Sequence, residues 1–570
     1  MVHHRSAVIL VITAVLLGQI QSSPILRNDD RGTAIVQSCP SPIYCQGKLL
    51  EVVQTAHIFN DSKTFVDMSQ VYPAEVTLKN FWDMMNSKNG TPSRDDVRQF
   101  VGNNFVRENE TVSWTPTDFT DSPLILNFIT DEQIRTFAKD LINIWPILGR
   151  KTSEEVINNP DQHSLLEVPN GFIVPGGRFR ELYYWDSFWI MKGLLLSDMY
   201  LTVKGMLGNI CHLINKYGFM PNGGRVYYLN RSQPPLFTLM IQQYLKYTED
   251  YDWIKDNIQC VQKEMDFWLK NRTINVVKDG TTYQLAHYGP ESNTPRPESY
   301  EKDLKTCSFY GQDEQKKLCY KSLKSGAETG WDFSSRWFFD QTEGNNANLS
   351  YIRAQRVVPV DLNSFLCTAF GDLAEFYGIL GDIVNQKTWQ ERSDVWKHAI
   401  EMVFYDSEEG IWFDWDSELH VARRFFFPSN FAPLWAKAYD ENKKDDYGLK
   451  AADYFLRKGI DQFLGGIPTS LEQTGEQWDF RNAWPPLQEF VVLGLLQTGN
   501  SNATDVAITF GKRWVLANMK GYDENKIMFE KYDALDPGKF GGGGEYVVQS
   551  GFGWTNGVAL SFIDLFYTNK

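Results

Sequence analysis

Glu-Thr-Gly-Trp-Asp-Phe-Ser-Ser-Arg-Trp, residues 328–337, is the stretch around which we expect the chain to fold. It places one carboxylate, Asp332, between tryptophans and close to a guanidinium, while Gly330 lets another group approach the backbone. Aromatic rings can stack on the apolar faces of sugar rings. A carboxyl group held partly out of water can protonate a glycosidic oxygen. The stretch therefore predicts a sugar site in which Asp332 works with one later carboxylate.

On both sides of this stretch, loops rich in Gly, Pro and Asn alternate with pairs of amphipathic helices. The loop at 358–361, for example, precedes a predicted helix over 362–380 and a partner over 386–405. The other predicted helices cover 131–148, 178–195, 236–247, 252–272, 430–439, 447–459, 487–496, 503–520 and 555–566. Strand signals are confined to 225–229, 281–285 and 410–415.

This alternation of helix pairs and functional loops is typical of a helical toroid, an α/α barrel. Separate helical bundles are the alternative, but no Ser/Gly/Pro-rich linker divides residues 130–570. We therefore predict one catalytic barrel over 131–570. Residues 24–130 are expected to form an extension that packs on the barrel.

The charge of the chain restricts its partners. The formal net charge is −15, and no basic run is longer than Arg423-Arg424 or Lys443-Lys444. Binding to nucleic acid or to an anionic membrane surface is therefore not expected, and a neutral substrate fits at least as well as an anionic one. The 18 tryptophans exceed what packing normally uses, which favours a ring-stacking site.

The N-terminus has the features of a secretory signal, predicted over residues 1–23. Basic residues at 3–5 precede the apolar run 7–17, and small residues follow at 22–23. The run is shorter than the roughly 20 residues of a membrane span. The end of the chain, 558–570, lacks the hydrophobic tail of an anchor signal. We expect a soluble, secreted, monomeric protein without a membrane anchor.

Cysteines and glycosylation sequons fit that compartment. Two close cysteine pairs in loop-like sequence are predicted to form disulfides, whereas Cys211 and Cys367, in apolar helical runs, are predicted to be buried free thiols. Cysteine and histidine spacings match no metal site, so we expect no metal. A glycan on Asn230 would block the site, so this sequon is predicted to be bare. The predicted disulfides are Cys39–Cys45 and Cys307–Cys319, and the sequons expected on the surface are Asn60, Asn89, Asn109, Asn271, Asn348 and Asn502.

The loop sequences supply residues that can bind a sugar. In Pro-Gly-Gly-Arg-Phe-Arg-Glu-Leu-Tyr-Tyr-Trp-Asp, residues 175–186, Arg178 and Asp186 can bracket vicinal hydroxyls and Trp185 can stack. In the loop 218–235, directional hydrogen bonds can come from Asn222, Arg231 and Gln233. The remaining motifs are Arg-Pro-Glu-Ser at 296–299, Gln-Trp-Asp-Phe-Arg-Asn-Ala-Trp-Pro-Pro at 477–486, Phe-Glu-Lys-Tyr-Asp at 529–533, Gly-Gly-Gly-Gly-Glu-Tyr at 541–546 and Gly-Phe-Gly-Trp-Thr-Asn-Gly at 551–557.

These motifs resemble those of the trehalase family, hydrolases of α,α-trehalose with a barrel of six α/α hairpins. Both long family signatures, 175–188 and 477–486, have counterparts here, and the resemblance extends over roughly residues 40–567. One departure is Arg481, where the second signature usually has proline. This changes the stiffness and the charge of that loop.

The resemblance implies an all-α, (α/α)6 six-hairpin barrel with short β pieces in the loops. It also implies an inverting glycoside hydrolase that splits trehalose into two glucose molecules without a cofactor. Asp332 would be the general acid and Glu530 the general base, about 6.5–9.5 Å apart with a water between base and sugar. The implied sugar-binding residues are Arg178, Trp185, Asp186, Asn222, Arg231, Gln233, Arg296, Glu298, Gly330 and Glu545.

Three arginines in a site for a neutral sugar need counter-charges. We predict that each arginine pairs with a carboxylate from Asp186, Glu298 or Glu545, which keeps the pocket near neutral. The glycines at 541–544 are predicted to be the hinge of a lid. The sequence assigns no role to Lys531, which lies beside Glu530.

Two other functions remain as alternatives. One is another inverting exo-glycosidase on the same barrel, similar to glucoamylase, which a different pocket shape would distinguish. The other is a non-catalytic sugar-binding protein, which a replacement of Asp332 or Glu530 would favour; both carboxylates are present.

Overall fold

The computed structural model describes residues 26–28, 34–36, 39–340, 342, 344–544, 546, 549 and 551–569. Twelve of its helices, labelled α1–α12 in chain order, form two concentric layers that alternate along the chain. The outer helices are α1 Glu132–Ile142, α3 Tyr200–Tyr217, α5 Tyr251–Asn271, α7 Ile383–Phe404, α9 Lys444–Arg457 and α11 Ser501–Asn525. The inner helices are α2 Asp186–Leu196, α4 Phe237–Thr248, α6 Val360–Ile379, α8 Ala432–Trp435, α10 Pro485–Gln497 and α12 Gly553–Phe566.

The inner helices form a closed ring. Each contacts the next, and α12 packs against α2 to complete the circle. Most residues of α2, α10 and α12 are buried, because these largely apolar helices are covered on most sides. The crossing of α2 and α12 is close enough to need glycine: a Cβ on Gly557 would lie 1.9 Å from the backbone oxygen of Trp189. The predicted all-α, (α/α)6 barrel is confirmed.

Several element boundaries differ from the predictions. The helix predicted from residue 178 begins at Asp186, because 178–185 form a loop instead. The helix predicted over 430–439 is reduced to α8, and α3 was not predicted. The strand predicted over 225–229 is a 3-10 turn, Val226–Tyr228, in which burial of two tyrosine rings outweighs their strand propensity.

Shorter elements surround the barrel. The additional helices are Lys48–Thr55, Lys63–Val66, Ala74–Ser87, Arg94–Asn104, Trp145–Leu148, Glu154–Asn158, Tyr300–Cys307 and Asp313–Glu328. Small antiparallel sheets pair Leu26–Asn28 with Ala34–Val36, Ser69–Gln70 with Phe105–Val106, Thr273–Lys278 with Thr281–Ala286, Tyr405–Asp406 with Ile411–Trp412, and Asn482–Ala483 with Tyr532–Asp533. Two three-stranded sheets order Thr111–Ser113, Gly149–Thr152, Phe172–Ile173 and Val357–Val358, Asp414–Asp416, Val421–Arg423. The strand predicted at 281–285 is confirmed, whereas the piece predicted at 410–415 is divided into Ile411–Trp412 and Asp414–Asp416, which belong to different sheets.

The cysteines correct one prediction. The disulfides Cys39–Cys45 and Cys307–Cys319 are formed as predicted, and Cys367 is a buried free thiol. Cys211 is not free, because α3 packs against α5 and brings Cys211 within a Cα–Cα distance of 5.6 Å of Cys260, to which it is bonded. Helical sequence around Cys211 gave no indication of which helix would lie opposite.

The segment before the barrel has its own hydrophobic cluster. Its apolar residues between 39 and 105 pack together with Tyr183, Tyr227 and Tyr228 from barrel loops. A buried ion pair reinforces this contact, since Lys63 Nζ lies 2.7 Å from Glu181 Oε1. The segment thus packs on the loop end of the barrel, and the division into 24–130 and 131–570 remains our proposal.

The sequon asparagines separate by exposure. Asn60, Asn89, Asn109, Asn271, Asn348 and Asn502 are all exposed. Both polar side-chain atoms of Asn230 are buried, which agrees with the prediction that this asparagine is bare. In the part of the chain that the structure describes, every helix is too short or too polar to cross a lipid bilayer. The predicted signal at 1–23 lies outside the described residues.

Candidate active site

A cavity of about 580 Å³ lies where the loops that lead into the inner helices meet. The segment 60–63, which precedes the barrel, forms part of its wall. Glu545 lies outside the described residues, so the structure does not place it. The other predicted site residues all line the cavity, and their roles stay predictions: Asp332, Glu530, Arg178, Trp185, Asp186, Asn222, Arg231, Gln233, Arg296, Glu298 and Gly330.

Glu530 is a buried carboxylate whose two oxygens differ. Oε1 accepts a hydrogen bond of 2.8 Å from the Tyr546 hydroxyl, whereas Oε2 has no hydrogen-bond partner among the described residues. Burial raises the pKa of Glu530, and the nearby Lys531 ammonium, the Tyr546 hydroxyl and the Arg178 guanidinium oppose that rise. One oxygen is thus held in place while the other can accept a proton.

Asp332 is half-buried at the cavity surface, and hydrogen bonds from a neighbouring loop hold its backbone. Its carbonyl oxygen accepts a hydrogen bond of 2.6 Å from Gln477 Nε2. Between the next residues of the same two segments, the backbone nitrogen of Trp478 donates to the carbonyl oxygen of Phe333 at 3.0 Å. The loop 477–486 therefore fixes the direction in which the Asp332 side chain leaves the backbone.

Asp186, the first residue of α2, is a third carboxyl group in the cavity wall. Burial raises its pKa well above the usual range, and the negative charges of Glu530 and Asp332 raise it further. Three carboxyl groups therefore influence one another here, and a protonated Asp186 can donate a hydrogen bond to a sugar hydroxyl.

Each of the three arginines pairs with a carboxylate, and among the described residues one of these carboxylates is a predicted partner. Arg231 Nη2 donates to Glu298 Oε1 at 2.7 Å, as predicted. Carboxylates outside the recognised motifs, Asp61 and Asp303, pair with the other two arginines. The predicted partner Glu545 lies outside the described residues, so its pairing stays a prediction. Arg296 forms a two-pronged contact with Asp303, with donor–acceptor distances of 3.0 and 2.7 Å, and Arg178 Nη2 lies 3.1 Å from Asp61 Oδ2.

Tryptophans from two loops and from the first turn of α12 form an apolar wall of the cavity. The Trp185 ring lies 5.7 Å from the Trp478 ring and 5.8 Å from the Trp554 ring, measured between centroids. Gly330 makes this arrangement possible, since a Cβ there would lie 2.7 Å from Cζ2 of Trp185. The group that approaches Gly330 is therefore a tryptophan ring of the chain itself.

The two tryptophans of the stretch 328–337 have a structural role, which corrects our expectation that they would contact the sugar. Trp331 and Trp337 are buried in the core and do not line the cavity. They flank the Arg336 guanidinium at 4.6 and 4.5 Å, and Arg336 forms buried ion pairs with Asp361 and Asp414. A tryptophan next to a charged residue in the sequence therefore indicates a buried core cluster as readily as a sugar site.

Replacement of Gly330 with alanine should weaken substrate binding. Both Gly330 and Gly90 have φ of +79°, so alanine at either position costs about 1–2 kcal/mol of backbone strain. Only at Gly330 does the new methyl group collide with the Trp185 ring, because nothing lies within 4 Å of a Cβ at Gly90. We expect an increase in KM of about tenfold for Gly330→Ala, measured by steady-state kinetics. An equal KM change in the matched control Gly90→Ala would contradict this explanation.

Several cavity residues were missed from the sequence. Tyr546 follows Glu545 in the glycine-rich motif and could have been inferred from that position. The wall residues 60–63 lie in a polar turn that carries no motif, so no signal was available. Arg481, the departure from the second signature, is half-exposed and pairs with Asp533 at 2.9 Å and Asp536 at 3.0 Å; it does not line the cavity.

Carboxyl groups, arginines and aromatic rings at the loop end of an (α/α)6 barrel place the chain among the glycoside hydrolases. The sequence model of the trehalase family, described as "Trehalase", matches residues 57–567. The chain therefore belongs to the trehalase family, and the matched region includes the cavity wall at 60–63.

Individual relatives support the same assignment. Trehalase from Tenebrio molitor is 53% identical over 531 residues, which cover 93% of this chain and 96% of that protein. Trehalase from Homo sapiens is 44% identical over 532 residues, which cover 93% and 90%. The solved structure of neutral trehalase Nth1 from Saccharomyces cerevisiae, 24% identical, matches with a TM-score of 0.56 over 72% of this chain and 79% of that chain, which shows the shared fold.

Proposed function

We propose that this protein is an α,α-trehalase that hydrolyses trehalose to two glucose molecules with inversion at the anomeric carbon. The observation that carries the proposal is that one cavity, in a chain of the trehalase family, is lined by both Asp332 and Glu530. Inverting glycosidases need two carboxyl groups about 6.5–9.5 Å apart, one to protonate the leaving oxygen and one to activate a water.

Asp332 acts as the general acid in this proposal. It donates its proton to the oxygen that joins the two glucose units as the glycosidic bond breaks. The first glucose leaves with that oxygen as a hydroxyl group. Asp332 ends the step as a carboxylate and regains a proton from solvent before the next turnover.

Glu530 acts as the general base. Its Oε2, which has no hydrogen-bond partner among the described residues, removes a proton from a water molecule that attacks the anomeric carbon from the opposite face. Glu530 releases this proton to solvent before the next turnover. The Tyr546 hydroxyl on Oε1 orients the carboxylate. Each positioned carboxyl group contributes roughly 10²–10⁴ to the rate.

The remaining wall residues bind the two sugar rings. Trp185 and its neighbouring tryptophans support stacking on apolar sugar faces. Arg178, Arg231 and Arg296 donate hydrogen bonds to hydroxyls, and their ion pairs with carboxylates suit a neutral ligand. The glycines at 541–544 act as the hinge of a lid over the substrate.

We also propose that the protein is secreted, monomeric and independent of a cofactor. Three disulfides support an oxidising compartment, as cytosolic proteins rarely keep them. The exposed sequons agree with passage through a secretory route.

Proton NMR of α,α-trehalose with the purified protein tests the function and its stereochemistry together. The anomeric protons should be read in the first minute or so, before mutarotation mixes the products. We expect α- and β-glucose in equal amounts at early times. The α-glucose comes from the leaving unit and the β-glucose from attack by water on the opposite face.

Other outcomes would change the proposal in defined ways. Only α-glucose at early times would mean retention, and one of the two carboxylates would then have to act as a nucleophile. No glucose from folded protein across a range of pH would move the assignment to another glycoside. Addition of a maltooligosaccharide to the same sample tests the exo-glycosidase alternative directly.

A further inference from the structure

Two buried polar side chains behind the cavity wall connect the candidate acid to the candidate base. Gln477 and Lys531 do not line the cavity, yet they form a continuous chain from the backbone of Asp332 to the carboxylate of Glu530. We propose that Gln477 and Lys531 are positioning residues that set the two carboxyl groups relative to each other, and that the Lys531 ammonium keeps Glu530 ionised. The inference rests on the proposed roles of Asp332 and Glu530.

Gln477 is fully buried, and its amide orientation is fixed. Its Nε2 donates to the carbonyl oxygen of Asp332 at 2.6 Å, and its Oε1 accepts from Lys531 Nζ at 2.9 Å. A flipped amide would set its NH₂ group against the ammonium and its oxygen against a carbonyl oxygen, so only one orientation satisfies both neighbours. The backbone oxygen of Gln477 in turn accepts bonds of 2.9 Å from Asn482 Nδ2 and 2.8 Å from Trp484 Nε1.

Lys531 is also fully buried, and its charge is compensated mainly by the site. Its Nζ lies 3.9 Å from Glu530 Oε2 and 4.7 Å from the centroid of the Trp484 ring. A buried ammonium needs a counter-charge and hydrogen-bond acceptors to remain charged. Burial lowers the pKa of Lys531, and the carboxylates that oppose this effect are Glu530 and Asp332. The two candidate catalytic groups are therefore the counter-charges of this lysine.

The same interaction acts on Glu530. Burial raises the pKa of Glu530, whereas Lys531, the hydrogen bond from Tyr546 and the charge of Arg178 lower it. The negative charges of Glu530 and Asp332 also raise the pKa of Asp186. A general base works only when ionised, so activity is present above its pKa and is lost as the pH falls through it. Removal of the Lys531 charge should raise the pKa of Glu530 and move this loss of activity to higher pH.

Lys531→Met tests the inference, because methionine keeps most of the length of the side chain and removes its charge. We expect the acidic limb of the kcat/KM profile to move upward by about one pH unit, which is the lower end of a charge-pair effect. We expect kcat for trehalose to fall about 10–100-fold. KM should change by no more than about threefold, since Lys531 does not line the cavity.

The variant Gln477→Glu is a second, independent test of the inference. Glutamate still accepts from Lys531 but cannot donate to the carbonyl oxygen of Asp332. Its negative charge also neutralises the lysine, so the acidic limb should move in the same direction as in Lys531→Met. This variant decides the question if Lys531→Met fails to fold.

Lys192→Met is the matched control. Lys192 Nζ pairs with the buried Glu489 Oε2 at 2.7 Å, and neither residue lines the cavity. This change also removes a largely buried ammonium beside a buried glutamate, so it should lower Tm as much as Lys531→Met does. Its pH profile should equal that of the wild-type protein.

The wild-type protein is measured first, and failure to hydrolyse trehalose would reject the proposed function by itself. If the wild type is active, a folded Lys531→Met with an unchanged acidic limb overturns the inference. An equal shift in Lys192→Met also overturns it, because the effect would then follow from destabilisation. Folding of each variant is checked by circular dichroism and Tm.

Discussion

Asparagine in place of Asp332 should lower kcat for trehalose by about 10²–10⁴-fold, the usual contribution of a positioned general acid. The amide cannot release a proton to the glycosidic oxygen. The fold should be unchanged, since the backbone at this position is held by Gln477 and the side chain is half-buried at the cavity surface. Steady-state kinetics and circular dichroism of Asp332→Asn measure both effects.

A substrate with a better leaving group isolates this role. Fluoride leaves without protonation, so α-glucosyl fluoride does not need a general acid. We expect Asp332→Asn to hydrolyse α-glucosyl fluoride far better than trehalose, relative to the wild-type protein. If the variant loses both activities equally, Asp332 is not the acid.

Glutamine in place of Glu530 should lower hydrolysis of trehalose and of α-glucosyl fluoride to a similar extent, by about 10²–10⁴-fold. Both reactions need a base to activate water, whatever the leaving group. Glutamine can still accept the Tyr546 hydrogen bond through its amide oxygen, so the local geometry should be kept. Rates with both substrates in Glu530→Gln and Asp332→Asn assign the two roles by comparison.

The control for Glu530→Gln is internal to this comparison. A Glu530→Gln protein that loses trehalose hydrolysis but keeps hydrolysis of α-glucosyl fluoride would have lost an acid, and the two assignments would have to be exchanged. Full activity on both substrates in folded protein would remove Glu530 from the reaction.

The sequence indicated the barrel because its signal is repeated. Amphipathic periods with a loop before each inner helix recur along the chain, so errors at single helices did not affect the architecture. One boundary error arose where the site begins. Residues 178–185 have a helical apolar period, but the structure uses them as a loop that leads Trp185 and Asp186 into the cavity.

Pairings between distant segments could not be predicted. Asp61 and Asp303 look like ordinary polar residues in the sequence, and their contacts with Arg178 and Arg296 depend on how the loops meet. The same limit applies to Cys211, whose partner lies on the next outer helix. Composition and local period carry no information about which segments face each other.

Local chemistry misled the interpretation in one place. Tryptophans beside Arg336 suggested a sugar site, but a guanidinium between two rings is equally stable in a core when two aspartates neutralise it. The error for Lys531 was the opposite, because no role was assigned to it. Its position beside Glu530 was informative, although the sequence could not show that its ammonium points toward that carboxylate.

The inner ring of helices closes only when α12 packs on α2, so a helix that is synthesised late completes a surface made much earlier. At a synthesis rate of about 5–20 residues per second, roughly 20–70 s separate the two helices. During that interval the apolar face of α2 that α12 later covers stays exposed to solvent. A nascent chain that stops before α12 would present this face to chaperones instead of reaching the native state.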